Sequence, residues 1–156
     1  APTVCYLIKP AEGCSTPAVF KALGLSPDEE LDGADPEELL QQFVKGSVYD
    51  AEYINDLEPP AFAVLPSLKQ LRDDLKAFGF KRVMMSGSGS TIFCMGMPFG
   101  EVVDTWRDEL QAKYEVEIFE EMFCRRLDDE RLWYAEQPAG AKLTNFEDPP
   151  FESRSF

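Results

Sequence analysis

The sequence of 156 residues contains no histidine. That excludes Ser-His-Asp and Cys-His triads and any other imidazole acid–base chemistry. The cysteines Cys5, Cys14, Cys94 and Cys124 include no Cys-x-x-Cys pair. Without such pairs or imidazole, most zinc, haem and copper sites are excluded too, and no metal ligand set is expected. No Gly-Lys-Ser/Thr occurs, so there is no Walker A loop. No apolar run approaches the roughly 20 residues that span a bilayer, and the chain is not expected to cross one. Positive charge is scarce: Lys and Arg number 15 against 29 Asp and Glu, a net charge of −14. Such a surface repels nucleic acid and anionic lipid at long range, so no nucleic-acid partner is expected. The start, Ala1–Pro2–Thr3–Val4, has no Met and no basic leader. The expectation is a removed targeting segment or a start inside a longer chain.

What is present suffices for a core. Hydrophobic residues make up 44% of the chain, which places it among folded domains. The cysteines stand in apolar surroundings such as Val4–Tyr6 and Phe93–Met95, and reduced, buried thiols are expected.

Val4–Ile8 reads as a buried strand stopped by Lys9–Pro10. Ser15–Thr16–Pro17 has the form of a helix start, and the helix runs to Leu23 before Gly24. Pro36–Glu37–Glu38 opens a second helix, ended by Gly46. Asn55–Asp56 reads as a cap before Pro59–Pro60. Phe62, Leu65, Leu68, Leu71, Leu75 and Phe78 then mark one apolar helix face, with a kink or a fresh start at Pro66. Phe80–Met85 and Thr91–Met95 read as strands, Phe99–Lys113 as a helix, and Tyr114–Ile118 as a half-exposed strand. An edge strand is expected near Trp133–Glu136. The result is an α+β sandwich over 1–138, followed by an irregular acidic, Pro-containing tail over 139–156. Phe146, Phe151 and Phe156 in that tail suit docking onto something else.

The loop Ser86–Gly87–Ser88–Gly89–Ser90–Thr91 places two glycines and four hydroxyls between two apolar strands. Glycine lets backbone amides approach an anion closely, and successive amides form an anion-binding concavity. A tight hairpin of small residues explains the same composition. The third glycine and the following helix of a dinucleotide fingerprint are absent.

Three segments stand in order: Leu7–Ile8–Lys9–Pro10 with Cys14–Ser15–Thr16–Pro17–Ala18–Val19–Phe20; Asn55–Asp56–Leu57–Glu58–Pro59–Pro60–Ala61; and Met85–Thr91. Together they resemble the C-terminal half of the 4-diphosphocytidyl-2-C-methyl-D-erythritol kinases, a family of the GHMP kinase superfamily serving non-mevalonate isoprenoid synthesis. The wording of Asn55–Pro60 and the Trp133–Tyr134 ending look most like the plastid enzymes of plants and algae.

The resemblance implies a ferredoxin-like plait. It implies that Ser86, Gly87, Ser88, Gly89, Ser90 and Thr91 face phosphate in a cleft between two domains. It also implies that Thr16 and Phe20 belong to the cytidine side of the substrate pocket, with Phe20 stacking on the base. For Phe20 the alternative is a core-facing residue on a short helix, and for Asn55–Asp56 it is plain helix capping. Lys9 could serve a phosphate, but a strand-end lysine is usually solvated, and no role is assigned to it. The family's other half carries the nucleotide-binding Pro-x-x-x-Gly-Leu-Gly-x-Gly-Ser-Ser run, the catalytic Asp and its assisting Lys, and no such run occurs here. No catalytic residue is therefore assigned. ATP and Mg²⁺ are expected only together with that N-terminal domain, and the chain alone is expected to be inactive, because phosphoryl transfer depends on positioning and charge neutralisation around the transferred group.

Two readings stay open. The chain is the substrate-side C-terminal part of such a kinase, partnered by the missing N-terminal domain. Alternatively it is a non-catalytic, kinase-derived interaction subunit whose partners are other proteins of a larger plastid assembly. Under either, the resemblance implies the plastid or chloroplast stroma, or the stromal side of a plastid complex.

Overall fold

Strand β1, Val4–Pro10, sets the centre of the architecture. Its side chains alternate, with Tyr6 and Ile8 buried on one face and Cys5, Leu7 and Lys9 on the other. The strand runs through Lys9–Pro10, where the sequence predicted a stop. The missing N–H of Pro10 costs nothing there. Pairing with β3 (Ile92–Met95) has already ended at Ile8, while pairing with β4 (Val116–Met122) continues to Pro10.

The computed structural model describes residues 3–26, 29 and 33–123. The unit described is the one that ends at Phe123, and residues 124–156 lie outside the described residues. The expected edge strand at Trp133–Glu136, the boundary at 138/139, the tail and Cys124 all fall there.

Within the described unit the order is β1, α1 (Thr16–Leu23), α2 (Pro36–Lys45), α3 (Glu58–Val64), α4 (Pro66–Ala77), β2 (Arg82–Met85), β3, a 3-10 turn, α5 (Trp106–Lys113) and β4. The four strands form one antiparallel sheet in the order β2-β3-β1-β4. Each strand–helix–strand connection therefore skips one strand: β1 reaches β2 across β3, and β3 reaches β4 across β1. This is the split, ferredoxin-like arrangement that the resemblance implied.

Local chemistry explains the helix limits. Ser15 and Asp35 cap α1 and α2, each with Pro in the first turn, and Gly24 ends α1 in the left-handed conformation at φ 74°. The apolar run over 62–78 divides at Leu65, whose φ of −132° and ψ of 84° leave helical space before Pro66. Proline disfavours the helical conformation in the residue before it, so a fresh helix starts instead of a kinked one. The helix expected from Phe99 begins only at Trp106. Gly100, at φ 78°, opens a separate 3-10 turn over Gly100–Val103. Conversely β4 extends to Met122, because β1 offers pairing partners along its full length.

The core lies between one sheet face and the helices. Leu68, Leu71 and Leu75 of α4, Trp106 and Leu110 of α5, and Val19 of α1 meet Tyr6, Ile8, Met85, Ile92 and Cys94. Trp106 packs edge-on against Tyr6 and Phe80 at centroid distances of 5.2 and 5.0 Å. Of the thiols expected to be buried, Cys94 is, and burial pushes its pKa far up; Cys5 and Cys14 are only half-buried. The opposite sheet face is crossed by the segment before α3. There Tyr53 packs against Phe93 at 6.0 Å, and Arg82 donates through Nε to the Ala51 carbonyl at 2.8 Å. No helix among the described residues is long and apolar enough to cross a membrane.

Candidate functional site

The β2–β3 connection is the glycine loop. Its mouth is closed by the Ser86 N–H donating to the Thr91 carbonyl at 2.8 Å. Gly87 has φ 60°, a left-handed conformation that glycine takes without cost, so the loop needs glycine there. Gly89 has no positive φ, and a Cβ there would meet nothing within 4 Å. Its small size leaves the backbone open to whatever approaches. Among the described residues, no group accepts a hydrogen bond from the amides of Gly87, Ser88, Gly89 or Ser90.

Helix α1 stands against this loop. The Thr16 and Ser88 hydroxyls are 2.9 Å apart, although 72 residues separate them in the chain. Two segments far apart in the chain, the start of α1 and the glycine loop, therefore meet. Thr16 and Phe20 share a helix face at i, i+4 spacing, while Val19 turns to the core. Phe20 is 54% exposed, which rejects the core-facing alternative. Lys9 is not at the loop; it pairs with Glu117 at 3.2 Å in solvent.

The third segment supplies what sequence reasoning missed. The Asn55 side-chain amide donates to the Met85 and Gly87 carbonyls, both at 2.8 Å, and its Oδ1 accepts from the Leu57 N–H at 3.0 Å. Three residues on, Glu58 Oε1 accepts from the Met85 N–H at 2.9 Å. Glu58 is in turn 3.8 Å from Arg72, whose guanidinium lies 4.8 Å from the centre of the Phe62 ring. Arg72 Nε is 2.8 Å from Asp73 Oδ1, but its N–H does not point at that oxygen and has no hydrogen-bond partner. The cap expected at Asn55–Asp56 is not formed: the N-cap of α3 is Leu57, without a side-chain cap bond, and Asn55 instead closes a turn onto the Leu57 N–H before the helix and grips a loop 30 residues away. The available signal was the side-chain type: an amide accepts and donates, whereas a hydroxyl or carboxylate would accept from the Leu57 N–H without offering two donors.

Chemically the loop offers the unpaired amides of Gly87–Ser90 together with hydroxyls, of which that of Ser88 meets Thr16, with no Lys or Arg hydrogen-bonded to it among the described residues. That donor set suits an anion bound by backbone. It contains no candidate base or nucleophile activated by a neighbour. Among the described residues, no group of three or more Asp, Glu or Cys side chains could hold a metal ion.

Residues 37–114 match the family model described as GHMP kinases C terminal. The chain belongs to that family. The match takes in the Asn55–Glu58 segment and the glycine loop. Among individual relatives, the chloroplastic 4-diphosphocytidyl-2-C-methyl-D-erythritol kinase of Oryza sativa subsp. japonica is 38% identical over 96% of this chain, enough to include α1. The chloroplastic kinase of the same name from Arabidopsis thaliana is 39% identical over 88% of it. The similarly named kinase of Protochlamydia amoebophila is 41% identical over 58%. A crystal structure of 4-(cytidine 5'-diphospho)-2C-methyl-D-erythritol kinase superposes with a TM-score of 0.53 at 28% identity, covering 76% of this chain and 42% of that one. The GHMP kinase C-terminal chain spans 36% and 34% of the rice and Arabidopsis relatives, about a third of their length.

Proposed function

We propose that this chain is the C-terminal, substrate-side part of an ATP-dependent kinase that phosphorylates 4-diphosphocytidyl-2-C-methyl-D-erythritol. The contact between Thr16 and Ser88 carries this reading, because it joins the exposed face of α1 to the glycine loop in one site. In this reading Ser86–Thr91 present amides and hydroxyls to phosphate. Thr16 and Phe20 contact the cytidine side of the substrate, and the exposed Phe20 ring stacks on the base, worth about 1–3 kcal/mol. ATP and Mg²⁺ are held by the N-terminal region that the longer relatives carry. The names of the plant relatives support the plastid stroma as its compartment.

The test joins this chain to the N-terminal region of the rice kinase and measures ATP-dependent phosphorylation of the cytidyl substrate. The fusion should turn over and the chain alone should not. Phe20→Ala in the fusion should raise KM for the cytidyl substrate roughly tenfold with little change in the melting temperature. A folded fusion without activity would return the chain to the second reading, a non-catalytic subunit.

A further inference from the structure

The four contacts of Asn55 and Glu58 fix more than the position of the loop. A trans peptide carries its C=O and the next N–H in opposite directions, and there are no cis bonds among the described residues. Asn55 holds the Met85 carbonyl, so the Ser86 N–H must point away from Asn55. It does, donating across the loop to Thr91. By the same geometry, Asn55 holds the Gly87 carbonyl, so the Ser88 N–H also points away from Asn55. No group among the described residues accepts it.

We propose that Asn55 is the positioning residue of the glycine loop: its amide fixes the Gly87–Ser88 peptide plane so that the Ser88 N–H is offered to an anionic ligand. Gly87, at φ 60° with open space around it, would otherwise let that peptide turn over, and the loop would then present a carbonyl to the anion. Glu58 completes the device by holding the Met85 N–H at the root of the loop. The ligand part of the inference rests on the phosphate-facing reading of the loop proposed above; the clamp itself does not.

Asn55→Asp separates this role from the turn onto Leu57. An Asp keeps the oxygen that accepts from the Leu57 N–H and closes that turn as well as Asn. At neutral pH it cannot donate to the Met85 and Gly87 carbonyls, and it sets a carboxylate against both. The experiment uses the ¹⁵N-labelled chain and reads backbone order parameters, amide exchange and a titration with inorganic pyrophosphate. In the wild type the Gly87–Ser90 amides should be ordered, near the value of about 0.85 typical of rigid backbone, and pyrophosphate should shift them. In Asn55→Asp, with circular dichroism unchanged, the Gly87–Gly89 order parameters should fall below about 0.6. The Ser86 amide should exchange at least ~10-fold faster, and pyrophosphate should bind at least ~10-fold more weakly, the scale of a lost hydrogen bond.

A folded Asn55→Asp chain with wild-type loop order and pyrophosphate affinity overturns the proposal and leaves Asn55 a turn residue. A wild-type chain that ignores pyrophosphate overturns the phosphate-facing reading and the ligand part of the inference with it, while the order parameters still decide the clamp. Should Asn55→Asp not fold, exchange of the two Asn55 side-chain amide protons in the wild type decides. Slowing of both at least ~10-fold relative to a free asparagine amide supports two hydrogen bonds, and free exchange removes them.

Discussion

Two ends of the sheet are held by different chemistry. At the β2–β3 hairpin, side chains grip backbone: Asn55 holds Met85 and Gly87, and Glu58 holds Met85. At the β4 edge, side chains grip side chains. Arg107 pairs with Glu120, and Asp74 accepts from Lys113 and from the Tyr114 hydroxyl, the latter at 2.6 Å. The first mode orients peptide planes and is short-ranged. The second ties α4 and α5 together by charges in contact with water, where pairing is worth little and salt weakens it. On the reading proposed above, peptide orientation matters because the loop faces an anion, whereas the contacts at the β4 edge serve helix docking.

The largest expected effect breaks the first end. Glu58→Ala removes the acceptor for the backbone N–H of the fully buried Met85, and also the half-buried carboxylate facing Arg72. A buried donor left unpaired costs about 1–3 kcal/mol, to be read from urea denaturation. Glu58→Gln keeps an acceptor oxygen and should recover most of the loss.

Next, the two loop glycines should part company. Gly87→Ala forces a side chain into the left-handed conformation and should cost about 1–2 kcal/mol. Gly89→Ala meets neither a positive φ nor a neighbour and should leave the urea midpoint within about 0.5 kcal/mol. If Gly89→Ala nevertheless weakens pyrophosphate binding, close approach of a ligand is what glycine provides at that position.

The smallest effect probes the β4 edge through pH. Burial alone would lift the Asp74 carboxyl, but hydrogen bonds from Lys113 and Tyr114 outweigh it and leave its pKa below the usual 3.8. A depressed folded pKa means stability that is complete above the ordinary carboxylate range and lost as pH falls through the folded value. The urea midpoint of the wild type should therefore drop on acidification below pH 3.8, and Asp74→Asn should flatten that dependence. An unchanged slope in the variant would show that other carboxylates govern acid sensitivity.

Much of this was written locally in the chain. The caps at Ser15 and Asp35, the prolines of the first turns and Gly24 delimit α1 and α2 through interactions of no more than a few residues. The period of Leu68, Leu71 and Leu75 fixed the buried face of α4. The glycine pair marked the hairpin. Misjudged limits, at Pro10, Trp106 and Met122, came where a neighbouring strand or a glycine in an unusual conformation overrode local preference. The resemblance supplied the plait and the candidate residues Thr16, Phe20 and Ser86–Thr91, but it left Asn55 a cap.

The sequence by itself determined the elements, the acidic surface and the donor-rich loop, because helix caps, apolar periods and glycine conformations are set within a turn or two. Only the tertiary structure decided that Thr16 meets Ser88, that Phe20 stays in solvent and that Asn55 reaches Gly87. Those contacts span 72 residues in the first case and 32 in the last. They follow from strand register and from how α1 and α3 pack, which no local pattern encodes.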